Sequence, residues 1–188
     1  MIGEKIMNPK ILVLAYPGIG KTYMADNYEN VIDFEQQHFI SIYDEDIRHL
    51  PLEQIKGQTS KRKPNPDWPQ NYVEGIRQEL ETGRIVITTF IPATYKALCE
   101  DAQYENVRII LAVFDPNSFE ELAQRYRERN NTEEFIERRR ADFPTSIKLF
   151  EEAPKVEKVV VKAGEYLADA LINHGIELNG GRGFKNYI

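Results

Sequence analysis

The sequence is poor in the features that mark secreted, membrane-bound or nucleic-acid-coating proteins. It holds a single cysteine, Cys99, so no internal disulfide can form and nothing indicates an oxidising compartment. No run approaches the about 18 consecutive apolar residues of a membrane span. No apolar leader core follows Met1 to Lys10, which makes the cytoplasm the expected location and a membrane partner unexpected. Positive charge is also in deficit: 24 Lys and Arg stand against 30 Asp and Glu, a net charge of -6. Neutralising a phosphate backbone calls for a basic face, so tight nucleic-acid binding is disfavoured, though local basic patches leave it open. Internal repeats and low-complexity tracts are missing as well.

What is there describes one globular unit. With 188 residues, 41% apolar, the chain is long enough to bury one sizeable core, and residues 1–188 are expected to form a single α/β domain. Ile11 to Ala15 is a short apolar run ending in a Gly/Pro turn, the look of a strand buried on both faces. Gly20 to Tyr28 reads as a short helix and Asn30 to Phe34 as a second strand, followed by a polar, turn-rich insertion over about 36–68 with one or two short helices. Asp67-Trp68-Pro69 opens the clearest helix, whose stripe is Tyr72, Val73, Ile76 and Leu80 and whose end is Gly83. Further strands are expected at Ile85 to Phe90, Val107 to Phe114 and Val156 to Val161, with helices at Ala93 to Gln103 and Glu165 to Asn173. Charged helices between Phe119 and Phe150 should break near Asn130-Asn131 and at Phe143-Pro144, and 175–188 reads as a peripheral tail. Strands alternating with helices imply a parallel sheet covered on both faces, a three-layer sandwich.

Chemistry concentrates in Ala15-Tyr16-Pro17-Gly18-Ile19-Gly20-Lys21-Thr22, a phosphate-loop pattern with Ala in place of the first Gly. Gly18 and Gly20 keep side chains off the bend, so backbone N–H groups can face phosphate oxygens. Lys21 is expected to reach the β and γ oxygens of ATP, and Thr22 to coordinate Mg2+. Pro17 to Tyr23 are thus the expected nucleotide contacts. Asp33 and Glu35, two apart at a strand end, would share a side there. Asp33 is expected to support the metal and the reaction and, with Glu35, to hold the acceptor. The next strand ends in Thr88-Thr89-Phe90 without the Asp many NTPases place there, which leaves metal support to Thr22 and Asp33. Arg125 and Arg129 fall on one helix face and are expected to close over the phosphates, although Glu121 to Arg125 and Glu134 to Arg138 also have ion-pair spacing. In the insertion, Arg48 and Trp68 are the expected acceptor contacts, among His38, Lys56, Lys61, Arg62 and Lys63.

On these residues the chain resembles the P-loop nucleoside and nucleotide monophosphate kinases. Pro17 to Thr22, Asn30-Val31-Ile32-Asp33 and Asn65 to Val73 are also similar to small phage-type and bacterial deoxynucleotide kinase-like proteins. The resemblance implies a five-stranded parallel sheet with the phosphate-loop strand in the middle, an acceptor-binding insertion and an arginine-bearing lid over about 119–142. It departs from adenylate kinase, having no Gly-Thr after Lys21 and no Asp-Gly-Phe-Pro-Arg segment after the third strand. The expected activity is transfer of the ATP γ-phosphoryl group to a small molecule, a (deoxy)nucleoside monophosphate in the first reading. A small alcohol as in shikimate and gluconate kinases, a polynucleotide, or a non-catalytic nucleotide-binding regulator remain alternatives, and the oligomeric state is left open.

Overall fold

The computed structural model describes residues 9–55, 58–101, 104 and 106–180. In chain order, β1 (Lys10–Ala15) leads into α1 (Lys21–Asn27) and β2 (Val31–Asp33). The insertion holds α2 (Gln37–Ile40), β3 (Ser41–Tyr43), α3 (Leu52–Ile55), a 3₁₀ turn (Thr59–Lys61) and β4 (Arg62–Pro64). Then come α4 (Gln70–Leu80), β5 (Ile85–Thr89), α5 (Pro92–Tyr95) running into a π-helical turn (Lys96–Asp101), and β6 (Val107–Phe114). The chain continues with α6 (Phe119–Glu128), α7 (Glu133–Glu152), β7 (Glu157–Val161) and α8 (Leu167–Asn173).

Five parallel strands form one sheet in the order β2-β5-β1-β6-β7, with β1 central, and β3 pairs antiparallel with β4 in a separate ribbon. This is the expected three-layer α/β sandwich with a five-stranded parallel sheet. Leu12 to Ala15 are fully buried, and their alternation sorts the core into two halves. Val13 and Ala15 pack with α1, α6, α8 and Phe143 of α7, while Leu12 and Leu14 pack with α4, Leu98 and Phe150. Helix α4 buries Tyr72, Val73, Ile76 and Leu80, the expected stripe.

Two expectations are corrected and one element is new. The helix start lies one step later than Asp67 or Trp68, with Pro69 at the cap position. No break falls at Phe143-Pro144: α7 runs through Pro144 because Phe143 is buried against Tyr16 and Phe119, and packing on both sides of the proline outweighs its missing N–H. The β3/β4 ribbon was not anticipated, since two three-residue strands carry no readable period. Lys56, Gln103 and the tail residues 181–188 lie outside the described residues.

Candidate active site

The segment after β1 is fixed from four directions. At its entry, the Phe90 amide donates to the Ala15 carbonyl (2.9 Å) and the Tyr16 amide donates to Ala112 (2.8 Å). The Tyr126 hydroxyl of α6 donates to the Pro17 carbonyl (2.7 Å), and the Leu167 amide of α8 donates to the Ile19 carbonyl (2.9 Å). The Gly20 carbonyl accepts from Met24 in the first turn of α1 (3.2 Å). With carbonyls drawn outward, the amides of Gly18, Ile19, Gly20, Lys21, Thr22 and Tyr23 donate to no acceptor among the described residues. Such a row of uncommitted donors at a helix start is a cradle for anionic oxygens. Gly18 (φ +87°) admits no side chain, for an added methyl would lie 2.6 Å from the Tyr126 ring. Gly20 (φ +113°) also sits in the left-handed region. Ala15 is fully buried at the strand end, so the alanine replacing glycine there is accommodated.

Opposite the cradle, the Thr22 hydroxyl donates to Asp33 Oδ2 at 3.1 Å, and Asp33 Oδ1 is buried with no partner among the described residues. Burial raises the Asp33 carboxyl above its ordinary range, while Lys21, the Thr22 hydrogen bond and, more weakly, Arg129 pull it down against the repulsion of Asp26. Lys21, Thr22, Asp33 and Arg129 therefore share one neighbourhood. A hydroxyl and a carboxylate with a spare oxygen suit a magnesium ion that keeps its waters and phosphate ligands. Among the described residues no cluster of three or more His, Cys, Asp or Glu offers a self-sufficient metal cage.

The remaining expected residues are not brought together there. Glu35 lies beyond the end of β2 and is exposed, so the strand alternation that paired it with Asp33 does not apply. Its neighbour Phe34 packs on Phe39 and Tyr72, and the Tyr72 hydroxyl donates to the Phe34 carbonyl (2.9 Å) and meets the Thr88 hydroxyl. Trp68 is half-buried, 5.3 Å from the Tyr72 ring, at the base of α4. Arg48 is exposed and pairs with Glu45 at 3.3 Å, and Lys61 pairs with Asp46. Tyr23 is 37% exposed beside the cradle.

Arg125 and Arg129 do not share a face. Helix α6 ends at Glu128, leaving Arg129 exposed at its cap, whereas Arg125 is 7% exposed and committed to Glu121 (2.6 Å) and the Glu165 carbonyl (2.7 Å). The helices of the expected lid, α6 and α7, belong to the packed core, and the segment between them spans 129–132. Of the two spaced ion pairs in this region, Glu121–Arg125 forms. Arg127 instead meets Glu133 (2.8 Å), and Arg140 meets Glu120 (2.5 Å).

Sequence reasoning missed Tyr126 and Leu167, whose polar groups hold the cradle from distant elements, and Gln36 and Asn71. The last two each bury a side-chain oxygen without a partner among the described residues, next to the Phe34–Phe39 wall. Spacing carries no signal for such long-range contacts.

No protein-family model and no curated protein matches the chain. Among solved structures, a gluconokinase from Sinorhizobium meliloti 1021 superposes with a TM-score of 0.45 at 18% identity, over 88% of this chain and 89% of that one.

Proposed function

We propose that this chain is an ATP-dependent phosphotransferase that moves the γ-phosphoryl group to a small acceptor. The observation that carries the reading is the cradle itself: six consecutive amides from Gly18 to Tyr23 with no acceptor among the described residues, in a turn that carries Lys21 and Thr22 and meets Asp33 through the Thr22 hydroxyl. In such a site the protein contributes position and charge. The amides and Lys21 would hold the β and γ phosphates, Thr22 and Asp33 would hold a magnesium ion that neutralises charge on the transferring group, and Arg129 would close from the 129–132 turn. Asp33, the only described carboxylate bonded to Thr22, would also receive or orient the acceptor hydroxyl.

The first acceptor class is a (deoxy)nucleoside monophosphate, with the aromatic wall of Phe34, Phe39, Trp68 and Tyr72 offering apolar contact for a base. A second reading, a neutral polyhydroxylic alcohol, is favoured by the unpartnered oxygens of Gln36 and Asn71, which call for donors on the ligand. The pairing of Arg48 and Lys61 with Glu45 and Asp46 adds to it, since it leaves less charge to hold a second phosphate.

ADP release measured with nucleoside monophosphates, nucleosides, small polyols and oligonucleotides separates these classes. A rate stimulated by one class identifies the acceptor, and ATP binding with no stimulation by any of them would leave a regulator. Lys21→Ala is expected to lower acceptor-dependent turnover by about a hundredfold or more, and full activity in that variant would refute the phosphate-loop assignment.

A further inference from the structure

Four consecutive residues, 164–166 between β7 and α8 and Leu167 at the start of α8, are each tied down. The Gly164 amide donates to both oxygens of Glu121 (3.0 Å each), and the Glu165 carbonyl accepts from Arg125 Nη2 (2.7 Å). The Arg125 guanidinium lies over the Tyr166 ring at 4.2 Å and over the Phe114 ring at 4.8 Å. The Leu167 amide donates to the Ile19 carbonyl at 2.9 Å, within the cradle. Glu121 and Arg125 also bond to each other at 2.6 Å. One turn of α6 therefore grips a loop whose last residue grips the phosphate loop.

The grip reaches the nucleotide side. A methyl added at Gly20 would lie 3.4 Å from Tyr166 Cδ1 and 3.6 Å from the Leu167 nitrogen, so the 164–167 loop forms the wall against which the cradle rests. Drawing the Ile19 carbonyl toward Leu167 turns the peptide so that the next amide, that of Gly20, points the opposite way. Arg125 Nη1 is meanwhile buried with no partner among the described residues, an arrangement that stability alone disfavours.

We propose that Glu121 and Arg125 are positioning residues that hold the phosphate loop in its nucleotide-binding shape by clamping residues 164–167 against Ile19 and Gly20. The inference rests on the phosphate-loop reading and reassigns Arg125 from phosphate contact to support. Because the clamp's contacts fall on Ile19 and Gly20 and none on Asp33 or the Phe34–Phe39 wall, its loss should weaken ATP without changing the acceptor's KM.

The test is calorimetric titration of ATP with Mg2+ into the wild type and the Arg125→Lys, Tyr166→Leu and Lys21→Ala variants, each checked by thermal melting. Lysine keeps the charge but loses the planar contact with both rings, and Tyr166 is 48% exposed, so its replacement leaves the core intact. Both clamp variants are expected to bind ATP about tenfold more weakly. Once an acceptor is in hand, its KM should stay within about twofold of wild type. Wild-type ATP affinity in folded Tyr166→Leu, or in Arg125→Lys if it folds, overturns the clamp. If Lys21→Ala also keeps wild-type affinity, the phosphate-loop reading itself fails; if only Lys21→Ala loses it, the clamp alone is wrong.

Discussion

Asp33 sits at the end of β2 with one oxygen on Thr22 and the other on nothing described, and burial lifts its carboxyl above the ordinary carboxylate range. The sign follows from linkage. A folded-state value raised above the unfolded one means that proton binding favours the fold, so the ionised side chain lowers stability, and does so increasingly as pH rises through the window between the two values. Asp33→Asn is therefore expected to raise the melting temperature of the ligand-free protein at pH 7 while lowering phosphoryl transfer. The gain in melting temperature should shrink as the pH is lowered below that window; a lower melting temperature at pH 7 would contradict the assignment. This trade between stability and chemistry is common at active sites. The closeness of Asp33 to Thr22 was legible because both stand at carboxyl ends of strands or just after one, where open α/β sheets gather their loops. Glu35 was misread because its pairing assumed that the strand runs two residues past Asp33, where β2 ends.

Among the elements, α7 shows how far tertiary packing overrides local preference. Pro144 is exposed in the middle of a twenty-residue helix and removes a backbone donor, yet Ile136, Phe143 and Phe150 hold both sides of it in the core. Pro144→Ala restores the donor and removes the ring from the preceding turn, so it should stabilise the protein by about 1–3 kcal/mol. A denaturant melt with unchanged slope and a higher midpoint would bear this out, and a lower midpoint would show that the proline's own packing outweighs the helix term. Elements with a strong period were readable in advance: the β1 run, the α4 stripe and the β-branched strands β5 and β6. The β3/β4 ribbon was not, because Ser41–Tyr43 and Arg62–Pro64 are short and far apart in the chain, and their pairing is decided by the insertion's own small core of Tyr43, Ile47 and Ile55.

Across the whole molecule, the outer edge of the sheet is locked at Glu157. It accepts two hydrogen bonds from Arg108 of β6 (2.8 and 2.7 Å) and meets His174 after α8 at 2.9 Å, joining two strands and a helix. Arg108 first and then His174 lower the Glu157 carboxyl from 4.5 to about 2. A depressed carboxylate contributes stability that is present above its ordinary value and is lost as pH falls from there through about 2. The group is about a third exposed, so solvent screening keeps the contribution modest. Glu157→Gln should thus lower the melting temperature at pH 6 and flatten the decline between pH 4.5 and 2; an unchanged acid limb would place the acid sensitivity elsewhere. Sheet order was legible only as far as the resemblance supplied it. Composition and spacing give strands but not neighbours, and the contacts of Glu157 join residues 49 and 17 positions apart.

The carbonyls of Ala15, Pro17, Ile19 and Gly20 all accept hydrogen bonds from groups later in the chain. Because these carbonyls are anchored to β5, α6, α8 and α1, the conformational entropy of shaping the loop is lost when the chain folds, before any nucleotide arrives. Association should then proceed with little backbone rearrangement, and the Leu167, Met24 and Phe90 amides that hold these carbonyls should already exchange slowly in the free protein.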